Sequence, residues 1–438
     1  MSTPRPVSPS EAAARLEPVD RLGIPLGPGQ PKAFLHALGE RDDWEDLAVF
    51  GALLVDLFPV FAKPGVRLRS GFFGPAERAL RAAGHGIEFV PADFRRFQEI
   101  AERFAPRVVA TAAAPPDAEG NLSLSLHAGA TVGEIHAAAK DPTRILVVET
   151  SPHFPRTLGL GPEHPHRIVL EDVDVWIEGA AQPTELPDKP AGSVEEAIAE
   201  HVAAFIPKGA TLQTGIGGIP NAVVALLAES AGGDYGIHSE MFTTGLMRLH
   251  EAGGVVNRKG VYDGVSITTF AMGERALYDW LDGNDAVRFL PADVVNDPAV
   301  IARNRDMISI NGALTIDLLG QVVADSLDGV QHSGIGGHED FLAGAGRIAE
   351  GRSLLCLPST ARVDGAPRSR IVSSLASGSI VTSPRHQVDV VVTEHGAAEL
   401  AGRTVGERAR ALAEIAAPEE RDILRAAARE IDAKGVLA

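Results

Sequence analysis

Apolar runs and helically spaced apolar positions alternate along the whole chain. The runs RVVATAA (107–113), RILVVET (144–150), RIVLEDVDVWIE (167–178), SITTFAMG (266–273), DMISING (306–312), SLLCLPS (353–359) and VDVVVTEHG (388–396) read as strands. Between them, PAERALRAAG (75–84), PNAVVALLAES (220–230) and PEERDILRAAAREIDAKG (418–435) carry apolar residues at helical spacing. Strands alternating with helices predict a mostly parallel sheet under covering helices, an α/β fold. The segment EGAAQPTELPDKPAGS (178–193) has no periodicity and is rich in Pro, Ala and Gly, so it reads as a linker.

The two halves share an order of parts. AKPGVRLRSGFFGPAERALRA (62–82) and IPKGATLQTGIGGIPNAVVALLA (206–228) each run from a Pro/Gly turn into a short strand, a glycine-containing loop, a proline and an apolar helix. This predicts two tandem open α/β domains of similar architecture, residues 1–187 and 188–438, with the active site in the interdomain cleft. The stretch GPGQPKAFLHAL (27–38) reads as a loop entering a helix beside that cleft.

A length of 438 residues fits two domains, and 45% apolar with 22% charged residues is ordinary for a globular protein. A formal net charge of −18 argues against nucleic acid as a partner. Cys356 is the only cysteine, so no disulfide forms within the chain, and a reducing cytoplasm is expected. Cys356 itself reads as a small buried strand residue. The N-terminal MSTPRPVSPSEAAARLE lacks the apolar core of a secretory signal. The apolar stretch from Phe50 to Ala62 is broken by Asp56 and Pro59, and nothing reaches membrane-spanning length.

Three constellations could carry chemistry. The first is the loop Gly215, Ile216, Gly217, Gly218, Ile219 before Pro220. Glycines allow close backbone approach to a ligand, and the following helix offers its free N–H groups to negative charge. A tight strand-to-helix turn is the plainer alternative. A dinucleotide loop is another, although Pro220 stands where its third glycine belongs, and Asp234 or Glu240 would serve as its acid. The second is His238-Ser239-Glu240, where a lone carboxylate follows a strand beside that loop. Such a group is usually solvated, yet near an oxyanion-stabilising site it can be a nucleophile. The third is Ser333 to Phe341, with Gly334, Gly336 and Gly337 followed by His338, Glu339 and Asp340. Metal binding is disfavoured because no H-x-x-x-H or H-E-x-x-H spacing occurs. A serine hydrolase is disfavoured for want of a G-x-S-x-G elbow.

The segments LQTGIGGIPNAV, GIHSEMFTTGL, FAMGERALYDWLD, VVNDPAVIARN, SINGALTIDLLGQVVADSL, SGIGGHEDFLAGA and VVTEHGAAELAGRTVGERA, in this order from about Thr211 to Ala409, resemble the acetyl-CoA hydrolase/transferase family. The N-terminal half is similar more weakly, through PPDAEGNLSL (115–124) and VETSPHFPRTLG (148–159). The resemblance implies transfer of CoA between a short-chain acyl-CoA, acetyl-CoA foremost, and a free carboxylate. It makes Glu240 the nucleophile and covalent carrier of CoA. It implies that Gly215, Ile216, Gly217, Gly218, Ile219, Asn311, Thr315, Gly336, Gly337 and His338 stabilise oxyanions or line the CoA path. Coenzyme A would be a substrate, with no permanent cofactor, no metal and no membrane partner, and the protein would be a homodimer. Acyl-CoA hydrolysis on the same scaffold is the nearer alternative. A non-catalytic nucleotide-binding protein and a dinucleotide-dependent oxidoreductase are more distant ones. Three positions depart from the family's usual pattern: His338 stands for Gln, Gly312 for Ser, and His395 for Tyr. A His for Gln swap can add charge near the acyl end, which bears on the choice of acceptor.

Overall fold

The apolar runs assemble into two open sheets in the computed structural model, which describes residues 4–434 apart from positions 128, 189, 231, 349 and 364. The first sheet has seven strands in the spatial order Gly86–Phe89, Val66–Ser70, Asp46–Ala52, Val19–Leu26, Val108–Ala113, Ile145–Thr150 and Val175–Glu178, every neighbouring pair parallel. The interior strand Val108–Ala113 is buried along its whole length, which explains why its sequence is unbroken rather than alternating. The second sheet has six strands in the order Gly236–Ile237, Thr211–Thr214, Met307–Gly312, Arg352–Cys356, Val390–Thr393 and Gly396–Glu399. Only its last pairing is antiparallel. Cys356 is buried in this sheet, where burial pushes its thiol up to about 12.

Three of the expected strands are each two elements. In 167–178, Arg167–Val169 pairs with Asn121–Ser123, and a single tight turn at Leu170–Asp172 puts Glu171 and Asp172 into solvent before Val175–Glu178 joins the large sheet. In 266–273, Ser266–Thr268 pairs with Val287–Phe289, whereas Phe270–Ala271 pairs with Met241–Phe242. In 388–396, the chain reverses at Glu394-His395, and Gly396, at φ 136°, starts the return strand.

The repeated unit is real in three dimensions. Val66–Ser70 leads through Gly71-Phe72-Phe73-Gly74 into the helix Pro75–Ala82, and Thr211–Thr214 leads through Gly215-Ile216-Gly217 into the helix Gly218–Glu229. Each strand lies next to the edge strand of its sheet. Both loops open onto the same cavity, through Phe72 on one side and Gly215 and Ile216 on the other. An apolar cluster of Leu26, Ala52, Phe94, Phe97, Phe270 and Met272 joins the halves, with the Phe94 and Phe270 rings edge to face at 6.2 Å.

Among its described residues, the segment 179–192 is irregular but docked. Ala181 and Gln182 accept hydrogen bonds from Ser151 and Lys32 of the first half, each at 2.8 Å. Beyond Pro183, Thr184 accepts from the Tyr278 hydroxyl at 2.6 Å and Leu186 donates to Gly273 at 2.8 Å, both in the second half. No described helix is long and apolar enough to cross a membrane.

Candidate active site

The chain leaves the strand Gly236–Ile237 at its carboxyl end and turns through His238-Ser239-Glu240 into Met241–Phe242. That turn is held rigidly. The Glu240 carbonyl accepts from Thr269 N at 2.9 Å, Phe270 N at 3.3 Å and the Thr268 hydroxyl at 2.9 Å. These bonds interrupt the 266–273 segment at Thr269, so the broken strand serves the site. Ser239 Oγ lies 3.1 Å from the Thr214 carbonyl and ties the turn back to the glycine loop's strand. His238 lies 2.7 Å from the Val295 carbonyl through Nε2, which must therefore carry the ring proton. Burial drives this imidazole's pKa down to about 4, so it is neutral at pH 7.

The Glu240 carboxyl group sits on the cavity floor. Asn296 Nδ2 donates to Glu240 Oε2 at 2.7 Å and to Asp340 Oδ2 at 3.1 Å, so one amide spans two carboxyl groups. Asn296 is fully buried, and its Oδ1 has no partner among the described residues. Gly337 closes the other side: a Cβ there would lie 2.1 Å from Glu240 Oε2 and 2.5 Å from Asn296 Nδ2, so any larger residue would have to displace both side chains. Burial pushes the Glu240 carboxyl up to about 8, and the Asp340 charge adds to the rise; the Asn296 bond and the Gly337 N–H act against it. Asp340 is pushed up to about 6, again by burial, with Asn296 and Arg95 opposing. Arg95 forms an ion pair with Asp340 and a second one with Asp93 at 2.8 Å. The group lines the cavity with its Oε2 held by the Asn296 amide, a donor that stands ready for negative charge developing on the Glu240 carbon.

The cavity, of about 410 Å³, is walled by both halves of the chain. It brings Gly215, Ile216, Asn311, Gly336, Gly337 and His338 together with Glu240. Leu26, Leu53, Phe72, Phe94, Phe270 and Met272 form its apolar side; no residue of 27–38 lines it, although Gly27 lies against Met272 and Leu53. Four expected residues, Gly217, Gly218, Ile219 and Thr315, fall outside this lining: Gly217, at φ 115°, caps the helix that begins at Gly218 and Ile219, and a Cβ at Gly218 would meet Glu195 at 2.9 Å. Thr315 lines a neighbouring cavity of about 540 Å³ that shares Leu314 with the first. Asn311 is not free, since it exchanges hydrogen bonds with Gln213 at 3.1 and 3.4 Å. The His338 ring faces Ser383 Oγ at 2.7 Å, and burial lowers it to about 4, so it adds no charge at pH 7. With His338 bound to Ser383 and Asp340 to Arg95 and Asn296, no cluster of three or more metal-ligating side chains forms among the described residues.

Asn296, Arg95 and Phe72 belong to the site but were not singled out in the sequence, and Asp340 was weighed there only as a metal ligand. Asn296 and Asp340 lie inside the segments VVNDPAVIARN and SGIGGHEDFLAGA, but nothing in those segments marks their link to Glu240. Arg95 lies 245 positions from its partner, in the half whose motifs are weak.

Comparison with known proteins follows the same lines. Residues 273–428 match the acetyl-CoA hydrolase/transferase C-terminal domain. The succinyl-CoA:cyclohexane-1-carboxylate CoA transferase of Geobacter metallireducens is 35% identical over 430 residues, covering 97% of this chain and 95% of its own. The 4-hydroxybutyrate coenzyme A transferase of Clostridium kluyveri is 34% identical over 429 residues, covering 95% of this chain and 96% of its own. Among solved structures, RipA from Yersinia pestis matches with a TM-score of 0.89 at 31% identity over 97% of both chains.

Proposed function

Because the chain belongs to the acetyl-CoA hydrolase/transferase family, we propose that this CoA-transferase moves CoA between a short-chain acyl-CoA, acetyl-CoA foremost, and a free carboxylate, through a thioester on Glu240. The observation that carries the reading is the placement of Glu240: one carboxyl oxygen is held by Asn296 and closed in by Gly337, and the group lines an apolar-walled cavity.

In the proposed sequence, Glu240 Oε1 attacks the thioester carbonyl, and the carbon–sulfur bond breaks to release CoA thiolate and leave a mixed anhydride. The thiolate attacks the Glu240 carboxyl carbon, releasing the first carboxylate and leaving a glutamyl-CoA thioester. An incoming carboxylate attacks the same carbon and expels the thiolate, which then takes the new acyl group and frees Glu240. No proton is gained or lost over the cycle, so the site needs no general acid. Asn296 Nδ2 and the Gly337 N–H would stabilise the oxyanion on the Glu240 carbon, a term worth about 2.7–4 kcal/mol per donor in comparable sites. Water must be kept from both intermediates, and Phe72, Phe94, Phe270 and Met272 support that exclusion.

The test is a matrix of acyl-CoA donors against free acids with water as the control acceptor, combined with borohydride trapping and peptide mass analysis. A modified Glu240 and turnover that requires an acid are expected. An unmodified Glu240 would falsify the covalent route, and CoA release into water alone would reassign the protein as a hydrolase, the activity named for an acetyl-CoA hydrolase of Kluyveromyces lactis 26% identical over 263 residues. The same reading takes residues 1–187 and 188–438 as the two domains and the protein as a cytoplasmic homodimer. The exposed apolar side chains Leu327, Val330, Ile380 and Val381 support the dimer, which light scattering of the purified protein checks.

A further inference from the structure

The half of the molecule that holds Glu240 does not complete its surroundings alone. The turn Phe94–Arg96, from the other half, reaches across the seam at two levels. Its backbone docks on the Gly336–Asp340 stretch: Phe94 N donates to the Gly336 carbonyl at 3.0 Å and Arg95 N to Asp340 Oδ2 at 3.3 Å. Its guanidinium pairs with the Asp340 carboxylate, whose side chain is 0% exposed, while Arg95 itself keeps 32% of its side chain open. Asp340 in turn shares the Asn296 amide with Glu240. The chain of contacts therefore runs Arg95, Asp340, Asn296, Glu240.

We propose that Arg95 is a cross-domain positioning residue for Glu240: by neutralising Asp340 and fixing it against Asn296, it holds the amide on the Glu240 carboxyl and governs the pH range in which that carboxyl is charged. The inference rests on the reading of Glu240 as nucleophile given above. Its logic is electrostatic. Four carboxyl groups, Glu240, Asp340, Glu339 and Asp93, crowd this spot, and Arg95 is the cation set against them. The imidazoles beside them, His238 and His338, are held neutral by burial. With Arg95 gone, the Asp340 charge has only Asn296 to lean on, so it competes for the amide and repels a charged Glu240. With Asp340 replaced by Asn, the repulsion vanishes.

The two substitutions therefore act in opposite directions on the same limb of the pH–rate profile. In the full-length enzyme, Arg95→Ala is expected to lower kcat about 10–10²-fold, as loss of a precise carboxylate pose does, to leave KM for the acyl-CoA within about twofold, and to move the rising limb of the kcat/KM profile to higher pH. Arg95→Lys, which keeps the charge, should recover most of kcat. Asp340→Asn should move the limb to lower pH. Borohydride trapping of the Glu240 thioester in the unsubstituted enzyme is run alongside. If that thioester is absent, the nucleophile reading fails and this inference falls with it. If the thioester forms but Arg95→Ala leaves kcat and the limb unchanged, or if both substitutions lower the rate without opposite shifts, Arg95 has no positioning role. Should Arg95→Ala not fold, Arg95→Lys against Asp340→Asn decides the same question by their limbs.

Discussion

Glu240 is a carboxyl group made to wait. Burial pushes it up to about 8 from an ordinary 4.5, so folding holds a proton there that the unfolded chain has already released. The sign follows from linkage: between those values the folded state binds more protons, so this group's effect on stability worsens as pH rises from 4.5 toward 8. Glu240→Gln keeps the size and can accept from Asn296, but cannot ionise. It is expected to abolish transfer while raising Tm, with the gain growing from pH 6 to pH 9 and read by differential scanning. In the unsubstituted enzyme, kcat/KM for the acyl-CoA should rise with pH through about 8 as Glu240 ionises. Gly337→Ala is expected to fold and yet lose about 10²-fold in kcat, since its Cβ would occupy the space of Glu240 Oε2. Glu240 was legible in the sequence because it is a lone carboxylate beside a glycine loop within a run of ordered motifs. Asn296 was not, because an amide acting between two carboxyl groups has no signature until both are placed.

At the scale of the element, the informative place is Thr269. The core of the run, ITTF, is β-branched and aromatic, so its pattern reads as one strand. The structure divides it because the partner changes: Ser266–Thr268 pairs with Val287–Phe289, and at Thr269 and Phe270 the N–H groups go to the Glu240 carbonyl, where pairing with Met241–Phe242 begins. Periodicity reports which side chains are buried, not which carbonyl a backbone N–H chooses, so this break lay outside what the sequence could show. The same element carries the apolar wall. Phe270 is 3% exposed and packs on Phe94 across the seam. Phe270→Ala should cost about 3–5 kcal/mol in denaturant unfolding. It should also admit water to the cavity, so that acyl-CoA hydrolysis increases relative to transfer when both products are assayed together.

For the whole molecule, alternation of strand and helix was enough to read an α/β fold, and the shared order of parts at 62–82 and 206–228 was enough to read two related units. What the chain could not disclose was how the units face each other, because the contacts that join them, such as Phe94 with Phe270 and Arg95 with Asp340, pair distant residues of unremarkable type. Acyl-CoA bound across both halves should stabilise the entire fold as one unit: at about 100 times Kd the gain is about 2.7 kcal/mol, visible as a single shifted transition rather than two. The linker's docking carries a further consequence. Up to Ala181 it is fastened to the first half, Gln182 is bonded to both Lys32 and Arg275, and from Thr184 onward it is fastened to the second half, so the chain crosses at Gln182-Pro183. Genetically, the protein should tolerate becoming two polypeptides: a gene interrupted at Pro183 and expressed as separate pieces would yield a heteromeric enzyme that assembles from its own seam.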